Sequence, residues 1–303
     1  MFELSILGTS ASAPSAHRGL PAQIVKYNEF RFLVDCGEGT QRQILQAGLG
    51  FRNLNTILIT HGHLDHILGI GGLVSTYRRW EAIDNLTIYA GQSALDRIAD
   101  LLFKVVIRDT KPPFPINLVP VTSGSILNQK GLDIQAFSVN HRGPDCYGYA
   151  FQLEGKRPFL AERAEELNIP SGPWRKDLVA NQPARLPDGR LIKPEQVLGE
   201  FQPGSRLVIV GDTGDIDSIL ESCRDADGLV IESTYIEAEK EMAQQFSHLT
   251  ARQAAELAVK ANVKRLFLTH LSRRYREKDI EQEARDIFPD AIVVRDFDQF
   301  TIK

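Results

Sequence analysis

Residues 60–66 read Thr-His-Gly-His-Leu-Asp-His, and no other stretch constrains the fold as tightly. Three imidazoles and a carboxylate within six positions cannot all be satisfied inside an apolar core. They are the ligand types that first-row divalent metals, zinc above all, accept. Asn55–Thr60, just ahead of them, is short, apolar and rich in β-branched residues, which predicts a buried strand. His61, His63, Asp65 and His66 then fall just past a strand end, on a loop leading into a Gly-rich helix start at Gly69–Gly72. Any fold for this chain has to open a polar pocket there.

Three more residues of the same chemistry follow strand-like runs. Asp133–Asn140 delivers His141, Arg206–Gly211 delivers Asp212, and Lys264–Thr269 delivers His270. Strand ends at one edge of a sheet are where α/β architectures place their sites. The residues sort into two sets: His61, His63 and His141 for one metal, and Asp65, His66 and His270 for another. Asp212 is left to bridge them, so a dinuclear centre is the economical reading.

Because ligands spread from position 61 to 270 must converge, the 303 residues are expected to form a single domain. Strand-like runs at 2–7, 22–27, 30–35, 55–60, 86–90 and 132–140 alternate with helical stretches at 40–48, 69–79 and 92–105, and similar alternation resumes from 205. That pattern suits an α/β fold of two mixed sheets packed face to face with helices outside. The first residues lack the basic region and long apolar core of a signal peptide, and no apolar run approaches the ~20 residues of a membrane span. Cys36, Cys146 and Cys223 are few and odd in number, as free thiols in a reducing compartment are. The expectation is a cytoplasmic protein with no membrane association.

Net charge is −4, so the field of the whole molecule does not attract nucleic acid, and polyanion binding would have to be local. Two local basic regions exist. Arg273, Arg274 and Arg276 follow His270 closely and must lie near the metals. Residues 155–199 form a Pro-rich insertion that carries eight basic side chains, Arg175 and Lys176 among them, against five acidic ones over 156–193. Long loops of this kind are functional or disordered.

Hydrolysis at such a centre needs a base and an acid. Asp65 is placed to ligate a metal and to orient or deprotonate a water, which makes it the expected base. His248 is the expected acid. It precedes a helix over 251–261 opened by a Thr250–Gln253 capping box, and Glu232, at the end of the apolar run from Gly228, is its natural carboxylate partner. His17, beside Arg18 in an N-terminal loop, is read as a substrate contact.

His-x-His-x-Asp-His followed by a distant His, Asp and His resembles the metallo-β-lactamase superfamily, which implies an αββα sandwich with an inserted flexible arm. More narrowly, the chain resembles the ribonuclease Z (tRNase Z) family in its short bacterial form. Asp35-Cys-Gly-Glu-Gly-Thr-Gln-Arg42, Gly148-Tyr-Ala-Phe151, Ile169-Pro-Ser-Gly-Pro173, Asp188-Gly-Arg190 and Ser272-Arg-Arg-Tyr275 carry that resemblance. Ile231-Glu-Ser-Thr-Tyr235 stands where the family usually has His-Glu-Ala-Thr-Phe.

The resemblance implies an endoribonuclease that removes the 3′ trailer of precursor tRNA, leaving a 3′-hydroxyl on the tRNA and a 5′-phosphate on the trailer. It also implies two zinc ions per subunit, with manganese as the alternative, and a homodimer in which one subunit's arm grips tRNA for the other's site. Glu232 and His248 would relay a proton. Ser272, Arg273, Arg274 and the arm's Arg175 and Lys176 would contact tRNA. A small-molecule phosphodiesterase or arylsulfatase-like hydrolase on the same metals is the competing expectation, against which the basic arm argues.

Overall fold

The apolar runs form two seven-stranded sheets in a computed structural model that describes residues 1–108, 111–112 and 114–303. Strands β1 (Phe2–Gly8), β2 (Ala22–Tyr27), β3 (Phe30–Val34), β4 (Thr56–Leu58), β5 (Leu86–Ala90) and β6 (Ile116–Pro120) make up most of the first. The second begins with β7 (Gly124–Gln129), β8 (Leu132–Ser138) and β9 (Tyr147–Leu153). After an insertion holding β10 (Ala184–Arg185) and β11 (Leu191–Ile192), it continues through β12 (Arg206–Ile209), β13 (Gly228–Glu232), β14 (Leu266–Thr269) and β15 (Ile292–Val293). The last strand, β16 (Gln299–Ile302), returns to the first sheet and pairs antiparallel with β1.

Each sheet has a parallel half, β3 to β6 in one and β12 to β15 in the other. Strands of a parallel half are covered on both faces, which is why Leu207–Ile209, Leu229–Ile231 and Leu266–Leu268 are continuous apolar runs, all fully buried. The two sheets meet across aromatic contacts: Phe151 of β9 lies 6.1 Å from Phe2 and 5.7 Å from Phe32, ring centre to ring centre. Helices Thr40–Gln46, Gly69–Trp80 and Gln92–Ala99 pack on the outer face of the first sheet, and Ala251–Lys260 covers the second. The architecture is the αββα sandwich. Among the described residues no helix is long and apolar enough to cross a membrane.

Local features differ from the sequence expectation, among them β9, whose run Tyr147–Leu153 was not among the expected strands. Asp65 and His66 lie not on a loop but in a short helix, Leu64–Ile67, because His63 is still extended (φ −68°, ψ 149°) and acts as its N-terminal boundary. Strands β6 and β7 carried no strong sequence signal, since most of their residues are exposed or only half-buried and the apolar pattern is diluted.

The chain divides into two compact units, residues 1–152 with 205–303, and residues 153–204. The smaller unit contains helices Ala161–Glu166 and Trp174–Val179 and the β10–β11 hairpin. It has its own buried core of Ala164, Ile169, Leu178, Ala184, Leu186, Ile192 and Val197. Polar side chains brace it: Trp174 Nε1 donates to the Pro170 carbonyl at 2.7 Å, and Arg190 donates to the carbonyls of Leu167 and Asn168.

Candidate metal centre

The ends of the strands deliver the site. His61 follows β4, His141 follows β8, Asp212 follows β12, Glu232 ends β13 and His270 follows β14. His61, His63, His141 and Asp212 offer ligand atoms within 4.8 Å of one another, and so do Asp65, His66 and His270. Asp212 stands between the two groups. Its Oδ2 lies 3.7 Å from His61 Nε2, 3.8 Å from His141 Nε2, 3.6 Å from His66 Nε2 and 3.4 Å from His270 Nε2. Asp65 Oδ2 is 3.5 Å from His270 Nε2 and 3.8 Å from His66 Nε2, and it also accepts from the Ser12 amide at 2.9 Å.

This donor set fits divalent cations. His66 Nε2, His270 Nε2 and Asp212 Oδ1 are buried with no hydrogen-bond partner among the described residues. A buried polar atom left unpaired costs roughly 1–3 kcal/mol, and a cation coordinated by these atoms removes that cost. Charge balance points the same way. Burial lowers the pKa values of His61, His63 and His141, so these rings are neutral and can ligate. Burial also opposes ionisation of Asp212, yet His270 and His66 outweigh it and hold the carboxyl well below the usual range. Burial opposes ionisation of Asp65 too, and there again His270 and His66 prevail and lower it. At His66 the balance reverses: burial disfavours a charge, but Asp35 and Asp212 raise its pKa well above the ordinary value. The carboxylates thus favour positive charge at the ring, which a metal ion supplies as well as a proton does.

Four of the ligand rings are held from behind through Nδ1. His61 Nδ1 meets Thr60 Oγ1 at 3.0 Å, and His66 Nδ1 meets Asp35 Oδ2 at 2.9 Å. His141 Nδ1 donates to the Ser247 carbonyl at 2.7 Å, and His270 Nδ1 meets Thr234 Oγ1 at 2.9 Å. Such partners set tautomer and ring orientation. Sequence reasoning assigned no role to Asp35, Thr60, Thr234 or Ser247. The signal for Asp35 was its place in the Asp35–Arg42 motif. Asp35, Ser247 and His270 all have left-handed backbones, with φ of 57°, 54° and 54°, which is unusual for residues other than glycine.

Beside the ligands lies the expected acid pair. His248 Nδ1 is 2.9 Å from Glu232 Oε1 and 3.0 Å from Oε2. Glu232 is buried and further accepts from the amides of Thr213 and Leu249 and from Thr234 Oγ1. Burial works against charge on His248, but the Glu232 carboxylate and its hydrogen bond push its pKa up to about 9. The Thr250–Gln253 capping box forms as expected and opens helix Ala251–Lys260 shortly after His248.

The expected substrate contacts are placed more diversely. Ser272 is half-buried and Arg273 exposed. Arg274 donates to Glu239 and meets Met242 Sδ, so its guanidinium is already engaged. Arg175 donates to the carbonyls of Pro170 and Ile169 and stacks over Phe159, within the smaller unit, while Lys176 is exposed. His17 is exposed on its loop; its neighbour Arg18 pairs with Glu277 at 2.6 Å.

The chain is similar to known proteins in both sequence and fold. Residues 2–162 fit the family model described as Anti-Pycsar protein Apyc1, and residues 183–271 fit that of the beta-lactamase superfamily domain. The chain is 45% identical over 302 residues to a protein of Bradyrhizobium sp. (strain ORS 278) named Ribonuclease Z, covering all of both chains. A protein of the same name from Archaeoglobus fulgidus is 37% identical, with 98% of this chain and 96% of that one covered. Among solved structures, the short form of human tRNase Z aligns with a TM-score of 0.68 at 23% identity, over 99% of each chain. At that identity the structural likeness carries the fold alone.

Proposed function

The chain belongs to the ribonuclease Z family, a group of metal-dependent hydrolases, and from that premise we propose that it is a zinc-dependent endoribonuclease that trims precursor tRNA. It removes the 3′ trailer by phosphodiester hydrolysis, leaving a 3′-hydroxyl on the tRNA and a 5′-phosphate on the trailer. The observation that carries this reading is the placement of the Glu232–His248 pair beside two ligand groups that share Asp212.

His61, His63, His141 and Asp212 would hold one ion; Asp65, His66 and His270, again with Asp212, would hold the other. Bound ions supply a nucleophile at neutral pH and neutralise charge on the phosphoryl oxygens. The nitrogen-rich donor set favours zinc, and manganese is the alternative. Asp65, kept ionised by its histidine neighbours, accepts the proton of the attacking water. His248, kept protonated by Glu232, gives its proton to the departing ribose 3′-oxygen. Ser272 and Arg273 contact the RNA near the cleavage point. The inserted arm, about residues 155–199 and including Lys176, holds the tRNA body through its excess of positive charge. In a homodimer the arm of one subunit would serve the site of the other. Three unpaired cysteines support a cytoplasmic setting.

Incubation with a 3′-extended precursor tRNA, and separately with bis(p-nitrophenyl) phosphate, tests the reading. Endonucleolytic cleavage that yields a tRNA with a 3′-hydroxyl is expected. Hydrolysis of the aryl diester with the precursor left intact would show a small-molecule phosphodiesterase instead.

A further inference from the structure

We propose that Thr234 is a positioning residue that fixes the tautomer of His270 for metal binding and couples that ring to the Glu232–His248 pair. The part concerning His248 rests on the function proposed above; the part concerning His270 does not.

A hydroxyl has one hydrogen to give, and Thr234 Oγ1 has three polar neighbours. They are Glu232 Oε2 at 2.5 Å, His270 Nδ1 at 2.9 Å and the His270 carbonyl at 3.0 Å. The carboxylate is the nearest and the strongest acceptor, so the hydroxyl hydrogen goes to Glu232. The oxygen is then free to accept, and His270 must be the donor, with its proton on Nδ1. That leaves Nε2 as a bare lone pair. Nε2 is also the buried atom with no hydrogen-bond partner, 3.4 Å from Asp212 and 3.5 Å from Asp65. Were the hydroxyl to turn towards Nδ1 instead, the ring proton would move to Nε2 and the ligand would be lost.

The other three braced rings do not share this dependence on Glu232. The Ser247 carbonyl and the Asp35 carboxylate can only accept, so they set the tautomers of His141 and His66 unaided. Thr60, behind His61, is oriented by Asp35 at 2.9 Å, away from the acid pair. Only at His270 is the orienting carboxylate the one that also binds His248. A hydroxyl therefore joins the last metal ligand to the acid, and Glu232 serves both.

Thr234 is nearly buried, at 5% exposure, and valine has its shape without the hydroxyl, so Thr234→Val isolates the effect of the proton. Zinc is competed from the purified protein with a graded chromogenic chelator, with no substrate present. Thr234→Val is expected to hold one of the two ions roughly 10–100-fold more weakly, the other as in the wild type. Thr234→Ser, which keeps the hydroxyl, is expected to restore tight binding. With zinc saturating, the ratio of kcat for precursor tRNA to kcat for bis(p-nitrophenyl) phosphate should fall in the valine variant and recover in the serine one. Should circular dichroism show the valine variant unfolded, Thr234→Ala, which removes the same hydroxyl without adding bulk, takes its place in both measurements. A hydroxyl-free variant that folds and retains both ions as the wild type does would overturn the proposal. Failure of the wild type to cleave precursor tRNA would instead count against the proposed function, and the zinc titration would still decide the role of Thr234 at His270.

Discussion

His141 donates from Nδ1 to the carbonyl oxygen of Ser247 at 2.7 Å, and Ser247 immediately precedes His248. The loop that presents the proposed acid is therefore pinned to a candidate metal ligand. Ser247 adopts a left-handed backbone to make that contact, at φ 54°. The candidate ligand His141 and the proposed acid His248 are thus tied through one residue of backbone, and perturbing one should be felt at the other.

Replacing His248 tests its role through the leaving group. His248→Ala should slow precursor tRNA cleavage by roughly 10²–10⁴, the usual value of a general acid. It should slow hydrolysis of bis(p-nitrophenyl) phosphate much less, because nitrophenolate departs without a proton. The sign of the pH effect follows from the raised pKa: the acid is present at neutral pH and is lost as pH rises through about 9. The wild-type rate on tRNA should decline over that range, and the variant should lack the decline. Equal damage on both substrates would exclude the acid role.

His63→Ala removes a half-exposed ligand outside both main hydrophobic cores. Activity should be abolished, bound metal reduced on elemental analysis, and the circular dichroism spectrum unchanged. Full activity in protein stripped of transition metal would contradict the ligand assignment as a whole.

The thiols should be silent in the folded protein. Burial pushes Cys36 and Cys223 up to about 12 and Cys146 up to about 11, so almost no thiolate exists at neutral pH, and raising the pH to 9 gains little. Ellman's reagent should detect three thiols after denaturation and essentially none before. Rapid native reaction at any of them would mean local opening around that cysteine.

Removing the inserted unit separates binding from chemistry. With residues 155–203 replaced by a short Gly-containing turn, KM for precursor tRNA should rise at least about tenfold, since phosphate contacts supply much of nucleic-acid affinity. The rate on bis(p-nitrophenyl) phosphate should persist, because every donor atom of the candidate centre lies outside the deleted segment. A parallel loss of both activities would make the segment a folding element.

What the sequence disclosed was set by which interactions depend on residue type. Metal ligation demands His or Asp, so His61, His63, Asp65, His66, His141, Asp212 and His270 were visible as types placed at strand ends. The Thr250–Gln253 box was visible for the same reason: its two side chains have few substitutes. The bracing of the rings was not. Ser247 acts through a backbone carbonyl, which any residue would supply, and Thr60 and Thr234 act through hydroxyls that resemble ordinary strand-end threonines. Arg274 is a different case: its position after His270 suggested a substrate contact, and the structure shows it exposed, with Glu239 and Met242 against its guanidinium, neighbours that no local pattern announces.

The smaller unit leaves and rejoins the chain between β9 and β12, which pair directly, with Gln152 opposite Arg206. Lys156 and Gln202 exchange backbone hydrogen bonds just beyond, so the two ends of the insertion are already a closed ladder. An insertion with its own core and joined ends behaves as a cassette. Lineages could enlarge it, trim it or exchange it for another shape by altering what amounts to one hairpin loop, with no change of register in the sheet whose strands lead to His141, Asp212 and His270. If the unit holds tRNA as proposed, substrate range in such a scaffold can drift independently of the strand ends that carry the donors, and transplanting the cassette between relatives is the way to redirect it.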